Sequence, residues 1–222
     1  ADAPRLAIDA MGGDVGLAVM LSGAAIARRR WPGLTFDLVG DEAAIKAALD
    51  NHPNLRAASE IVHAPDKIGG HEQVAQAIRR SKTTSMGIAI DSVKQGRAGA
   101  AVSAGNTGAL MGMAKLALRT MPGIDRPALA ALLPSLGDND LVMLDLGANT
   151  EVDTRNLIEF AVMGAAYSRT ALGIERPRVS LLNIGTEDQK GTEEIREAAT
   201  ILKDSPHLHM DFQGFIEGDK LS

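Results

Sequence analysis

Apolar residues fall in short continuous runs at 6–10, 36–39, 61–64, 100–104, 129–133, 141–146 and 179–184. Continuous rather than alternating runs of this length are expected of strands covered on both faces, as in parallel sheets packed between helices. Between the runs the spacing changes. Met86, Ala89, Ile90 and Val93 recur at i, i+3, i+4 and i+7, with Gly96 as a stop; Leu110, Met113, Ala114 and Ala117 repeat that period, as do Ile195, Ala198, Ala199 and Leu202. Helix starts are marked by Asp41 before Glu42 and the Ile45, Ala48, Leu49 stripe, and by Thr192 before Glu193 and Glu194, whose charges favour the positive end of a helix dipole. The alternation predicts an α/β fold with an open, doubly wound, mostly parallel sheet, and no linker or repeat divides residues 1–222, so a single domain is expected. A last strand is predicted near Met210, Phe212, Phe215 and Ile216, after which no covering helix follows, an ending expected of an incomplete domain.

Composition narrows the chemistry. With 222 residues, 45% of them apolar, the chain is long enough to bury a large core without cross-links. The absence of cysteine excludes disulfides, thiolate metal sites and a cysteine nucleophile, and leaves a cytoplasmic location as the expectation. Six aromatic residues and a net charge of −5 make stacking on bases and binding to a nucleic-acid backbone poor readings. The uncharged stretch between Arg97 and Lys115 is broken by Ser103, Asn106, Thr107 and four glycines, unlike a membrane helix, and the N-terminal Ala1-Asp2-Ala3-Pro4-Arg5 lacks a secretory pattern.

Ligands in open α/β sheets bind beyond the carboxyl ends of strands. Four segments there stand out: Asp9-Ala10-Met11-Gly12-Gly13-Asp14; Ser103-Ala104-Gly105-Asn106-Thr107-Gly108; Asp145-Leu146-Gly147-Ala148-Asn149; and residues 183–191, from Asn183 through Lys190 to Gly191. A glycine-containing turn that feeds a helix leaves backbone N–H groups free at a positive dipole end, which makes the second segment a candidate anion site. Helix capping is the better account of one such loop alone, and Asp9 and Asp145 read either as site or as network carboxylates; four loops together favour a ligand. No P-loop, dinucleotide-binding or nucleophile-elbow fingerprint is present. His207 and His209 lack a third ligand nearby, so no metal is expected. The basic clusters, Arg28-Arg29-Arg30 and Arg79, Arg80 and Lys82, read as solvated helix ends or as docking sites for an acidic partner.

Six motifs then carry a resemblance: IDAMGGD at 8–14, VSAGNTGALM at 102–111, PGIDRPALAALLP at 122–134, LDLGAN at 144–149, FAVMGAAY at 160–167 and LLNIGTEDQKG at 181–191. In this order they resemble the bacterial acyl-[acyl carrier protein]:phosphate acyltransferases, the PlsX family. The resemblance implies an α/β/α sandwich similar to phosphate acetyltransferases and isocitrate dehydrogenase-like proteins, a homodimer, and peripheral membrane contact through a part beyond residue 222. It departs from the family in 67–74 and in lacking a proline after Asp14. The implied reaction is attack of inorganic phosphate on the thioester of an acyl carrier protein, giving acyl phosphate for phospholipid synthesis, with no cofactor. Phosphate is anionic and a thiol of pKa about 8.5 leaves readily, so the protein must supply position and charge rather than a nucleophile. On this reading Ser103, Gly105, Asn106 and Thr107 cradle phosphate, with Gly12 and Gly13 allowing close backbone approach. Lys190 is the cation or else a solvated lysine, and Asn183 and Asn149 position substrate beside Asp145. Asp9 and Asp14 order the loop or repel phosphate, and Arg79, Arg80 and Lys82 dock the carrier. A short-chain acyl-coenzyme A phosphate acyltransferase and a non-catalytic binding module are the alternatives.

Overall fold

Alternate residues of the first apolar run go to opposite faces of a sheet. The computed structural model describes residues 4–137, 140–149 and 151–221; Ala1, Asp2 and Ala3, which begin the N-terminal pattern, lie outside them. The chain forms two compact units, Ala1–Arg119 and Thr120–Ser222.

In the first unit β1 (Arg5–Asp9), β2 (Thr35–Gly40), β3 (Ser59–His63) and β4 (Ala100–Val102) make a parallel sheet of order β3-β2-β1-β4. Ile8, Phe36 and Leu38 turn to one face, where Leu21 and Ala24 of α1 (Leu17–Arg30), Ile45 and Leu49 of α2 (Glu42–Leu49) and Leu55 of α3 (Pro53–Arg56) cover them. Phe36, Leu21, Leu38 and Ile45 are fully buried, which contributes about 1.5–3 kcal/mol for each side chain. Ala7 and Val39 turn to the other face with Ala89 of α5 (Ser85–Lys94). There Met86 and Ile90 also pack with Ala77 of α4 (Val74–Arg79) and with Ala109 and Met113 of α6 (Thr107–Leu118). Helices on both faces make the continuous runs intelligible. At the opposite end from the carboxyl termini, Arg5 joins three strands, donating to the buried Asp37 at 2.8 Å and to Glu60 at 3.0 Å.

The second unit holds an antiparallel pair, β5 (Ala131–Leu133) with β6 (Leu141–Met143), and a parallel pair, β7 (Arg178–Leu182) with β8 (Asp211–Ile216), whose crossover is α8 (Glu193–Lys203). The long α7 (Thr154–Leu172) starts in a reciprocal cap between Asp153 and Asn156 and ends at Gly173, which takes the left-handed conformation with φ 70°. Its Ala161 and Ala165 pack with Leu181 of β7 and Ala198, Ala199 and Leu202 of α8.

The expected mostly parallel α/β architecture is therefore the observed one, with β5 and β6 as its antiparallel exception. The strands β4, β5, β6 and β7 are shorter than the apolar runs that predict them. The run at 100–104 leaves the sheet after Val102 because Ser103 and Gly105 turn to bond one another, and the run at 141–146 leaves after Met143, where Asp145 takes up loop amides. In α1 the apolar spacing is diluted by exposed Val19 and Ile26, and in α7 the buried positions include Asn156 and Glu159, so neither helix stands out by pattern.

Candidate functional site

The sheet order places β1 between β2 and β4, so the chain reverses direction across the sheet at the β1–β4 seam. Loops leaving the carboxyl ends of strands diverge at such a switch point and leave a crevice. Asp9, the last residue of β1, is 1% exposed. Its Oδ2 accepts the Ser103 hydroxyl proton at 2.6 Å, and Ser103 Oγ in turn accepts the Gly105 N–H at 3.1 Å, so the two loops are joined by a relay. A Cβ on Gly12 would lie 2.6 Å from Asp9 Oδ2 and one on Gly105 would lie 2.8 Å from Met86 Cε, so a side chain at Gly12 would push on the Asp9 carboxylate and one at Gly105 would have to move the Met86 methyl. Gly13, at φ 85°, brings the first loop against the Ala104 carbonyl, and Asp14 stays exposed beside Gly70.

Asn106 caps α6. Its Oδ1 accepts the Ala109 N–H at 2.9 Å, and its Nδ2 donates to the carbonyls of Gly70 at 3.0 Å and Glu72 at 3.3 Å. The side chain therefore fastens 70–72 to the helix start. Arg80 holds the same loop from its other end, donating to both oxygens of Glu72 at 3.0 and 3.2 Å and to the Lys67 carbonyl at 3.4 Å, with Asp66 3.7 Å away. Arg79 and Lys82 are exposed and make no ion pair among the described residues. With Gly105 N–H engaged by Ser103 and Ala109 N–H by Asn106, the N–H groups of Asn106, Thr107 and Gly108 are without partners among the described residues, as is the Thr107 hydroxyl. Three successive free N–H groups at a helix N-terminus are suited to an oxyanion.

In the second unit Asp145 sits among donors. Oδ1 accepts the N–H of Leu129 at 2.8 Å and of Ala148 at 3.3 Å; Oδ2 accepts the Asn149 N–H at 2.8 Å and its Nδ2 at 2.9 Å. Burial pushes this carboxyl up, but the amides of Leu129, Asn149 and Ala148 together outweigh it and hold the group below the ordinary carboxylate value. Asn149 Nδ2 also donates to the Pro127 carbonyl at 3.1 Å, so both donors of this side chain serve the loop. After β7, Asn183 Nδ2 donates to the Lys190 carbonyl at 3.0 Å. Lys190 is exposed, and its Nζ has no partner among the described residues. No group of three or more His, Cys, Asp or Glu side chains among the described residues could hold a metal ion. No helix among them is long and apolar enough to cross a membrane.

A family model described as "Fatty acid synthesis protein" matches residues 4–222. The chain belongs to the fatty acid synthesis protein family. Curated relatives agree with this membership and with the motif resemblance. A phosphate acyltransferase of Erythrobacter litoralis (strain HTCC2594) is 66% identical over 219 residues, 99% of this chain and 62% of the relative. One of Nitrobacter hamburgensis (strain DSM 10229 / NCIMB 13809 / X14) is 51% identical over 216 residues, 97% of this chain and 61% of the relative. The chain thus spans about three fifths of the length of these curated relatives. Among solved structures, EutD phosphotransacetylase from Staphylococcus aureus matches with TM-score 0.67 and 19% identity over 96% of this chain and 68% of its own. A phosphotransacetylase from Streptococcus pyogenes matches with TM-score 0.67 and 19% identity over 94% and 67%. These two likenesses show that the family member shares their α/β fold.

The sequence-predicted residues therefore fall into separate clusters. The first unit brings Asp9, Gly12, Ser103 and Gly105 together and sets Asn106 and Thr107 at a helix start. The second joins Asp145 to Asn149 and Asn183 to the Lys190 loop. Sequence reasoning missed Glu72, the partner of Arg80, and Arg196, which reaches the loop of 183–191. The acidic residue eight positions before Arg80 was a weak signal for the first. Arg196 one turn into α8 carried none.

Proposed function

We propose that the protein catalyses transfer of an acyl group from acyl-[acyl carrier protein] to inorganic phosphate, giving acyl phosphate for phospholipid synthesis. The single observation that carries this reading is the set of free N–H groups of Asn106, Thr107 and Gly108 at the start of α6, beside the Asp9–Ser103 relay, in a chain of this family. A phosphate oxygen attacks the thioester carbonyl carbon, the C–O bond forms, and the tetrahedral oxyanion collapses with cleavage of the C–S bond. The thiolate leaves and takes up the proton that phosphate carried.

The chain's residues supply position and charge. Backbone N–H groups and the Thr107 hydroxyl orient phosphate without a side-chain cation, so its nucleophilic oxygen is not tightly paired. The Ser103 hydroxyl donates its hydrogen bond to Asp9, and its contribution is to shape the loop. Lys190, whose Nζ has no ion pair among the described residues, is the cation that the motif resemblance assigns to the developing oxyanion. Arg79 and Lys82 form the carrier-docking patch, whereas Arg80 serves the loop through Glu72. A homodimer in the cytoplasm, with peripheral membrane contact, completes the proposal on the strength of the motif resemblance.

The test is incubation with phosphate and either long-chain acyl carrier protein or acyl-coenzyme A, following thiol release and acyl phosphate together. Faster turnover of the carrier thioester supports the proposal. Preference for short acyl-coenzyme A overturns the carrier assignment, and binding of phosphate without thiol release overturns catalysis.

A further inference from the structure

We infer that Arg196 is a positioning residue for Lys190, acting through the backbone of the loop that carries it; the inference rests on the role given to Lys190 in the proposed reaction. Arg196 Nη1 donates to the carbonyls of Gln189 at 3.3 Å and Gly191 at 3.0 Å, while Asn183 Nδ2 donates to the carbonyl between them, that of Lys190, at 3.0 Å. Three successive carbonyls are thus held by two side chains from the flanking strand end and helix. The Lys190 N–H closes the turn on the Glu187 carbonyl at 3.0 Å. Gly191 completes it at φ 87°, where a Cβ would also lie 2.6 Å from Ile195 Cγ2.

The base of the exposed Lys190 stem is packed as well. A Cβ on Gly185 would stand 2.7 Å from Glu187 Oε2, 2.9 Å from Lys190 Cγ and 3.4 Å from Lys190 Cβ, so the stem passes over Gly185 next to the Glu187 side chain. The ammonium at its end is engaged by nothing among the described residues, although Glu187 and Asp188 are close in sequence; Asp188 is instead paired with Lys203 at 2.9 Å. A lysine otherwise loses considerable side-chain entropy on being localised. Here backbone tethering and stem packing do part of that ordering before substrate arrives, which is the condition for an electrostatic contact to act at full strength in the transition state.

The test is a double-mutant cycle on acyl-phosphate formation by the protein, with Arg196→Gln, Lys190→Ala and the pair. Arg196→Gln should lower kcat about ten- to a hundredfold with little change in KM for phosphate, the scale of a displacement near 1 Å. In the Lys190→Ala background it should cost less than about twofold, because the residue it positions is gone. If the full factor persists there, Arg196 is merely structural and the inference is overturned. Gly185→Ala, which removes no polar group, should reproduce the kcat loss by displacing the stem; wild-type kcat in that variant also overturns it. Amide exchange at Lys190 reads the tether without turnover. A rise of about tenfold or more in Arg196→Gln supports it, and an unchanged rate overturns it even if the proposed reaction itself proves wrong.

Discussion

At Asp145, burial opposes ionisation and hydrogen bonds from Leu129, Asn149 and Ala148 favour it more strongly, so the folded carboxyl titrates below the carboxyl of the unfolded chain, whose ordinary value is about 3.9. Its contribution to stability is complete above that value and is lost as the pH falls through the lower folded value, because the unfolded chain then binds the proton first. Asp145→Asn should cost about 1–3 kcal/mol near neutral pH, and denaturant titrations should show the gap to wild type closing below about pH 4. Gly12 gives a steric counterpart. Gly12→Ala should destabilise by about 1–3 kcal/mol, since a Cβ would meet Asp9 Oδ2 at 2.6 Å; Gly33→Ala, with nothing within 4 Å, should stay within about 0.5 kcal/mol. That Asp145 and Gly12 mattered was readable from carboxylates and glycines in strand-end loops. Their surroundings were not, because Leu129 reaches Asp145 from 16 residues away and Ser103 reaches Asp9, the carboxylate against Gly12, from 94.

Among the elements, the loop between β3 and α4 is held by buried Ile68, by Asn106 and by the Glu72–Arg80 pair. Arg80 is 43% exposed, so the pair adds little to global stability. Glu72→Gln should shift the unfolding free energy by less than about 1 kcal/mol, yet limited proteolysis within 67–73 should accelerate, because local opening and global unfolding are separate equilibria. Equal cleavage rates would show that the loop is ordered without the pair. The periodicity around Leu110 and Met113 located α6, and Gly96 marked the end of α5 with φ 71°. The short α4 spans too few residues for a period to be recognised, and so the clasp around it stayed hidden.

Across the whole molecule, the α/β class followed from continuous runs alternating with a helical period, whereas strand order depends on which distant faces fit and no local pattern encodes it. The division near Arg119 was equally silent, since no change of composition marks it. With a net charge of −5, the proposed docking of an acidic carrier would rely on a local patch acting within a Debye length of about 8 Å. Changing Arg79 and Lys82 to Glu should slow carrier association and flatten its salt dependence in stopped-flow binding, while acyl-coenzyme A turnover suffers less; a wild-type salt slope would move docking to Arg28, Arg29 and Arg30 or to sequence outside residues 1–222. The β1–β4 seam also has a consequence in time. Asp9 and Ser103 are 94 residues apart, and a ribosome adding about 5–20 residues per second needs roughly 5–20 s to make that interval. During synthesis β1 can meet β2 well before β4 exists, so the crevice is among the last features of its unit to be completed, and a nascent chain stalled before Ser103 would carry a carboxylate still waiting for its hydroxyl.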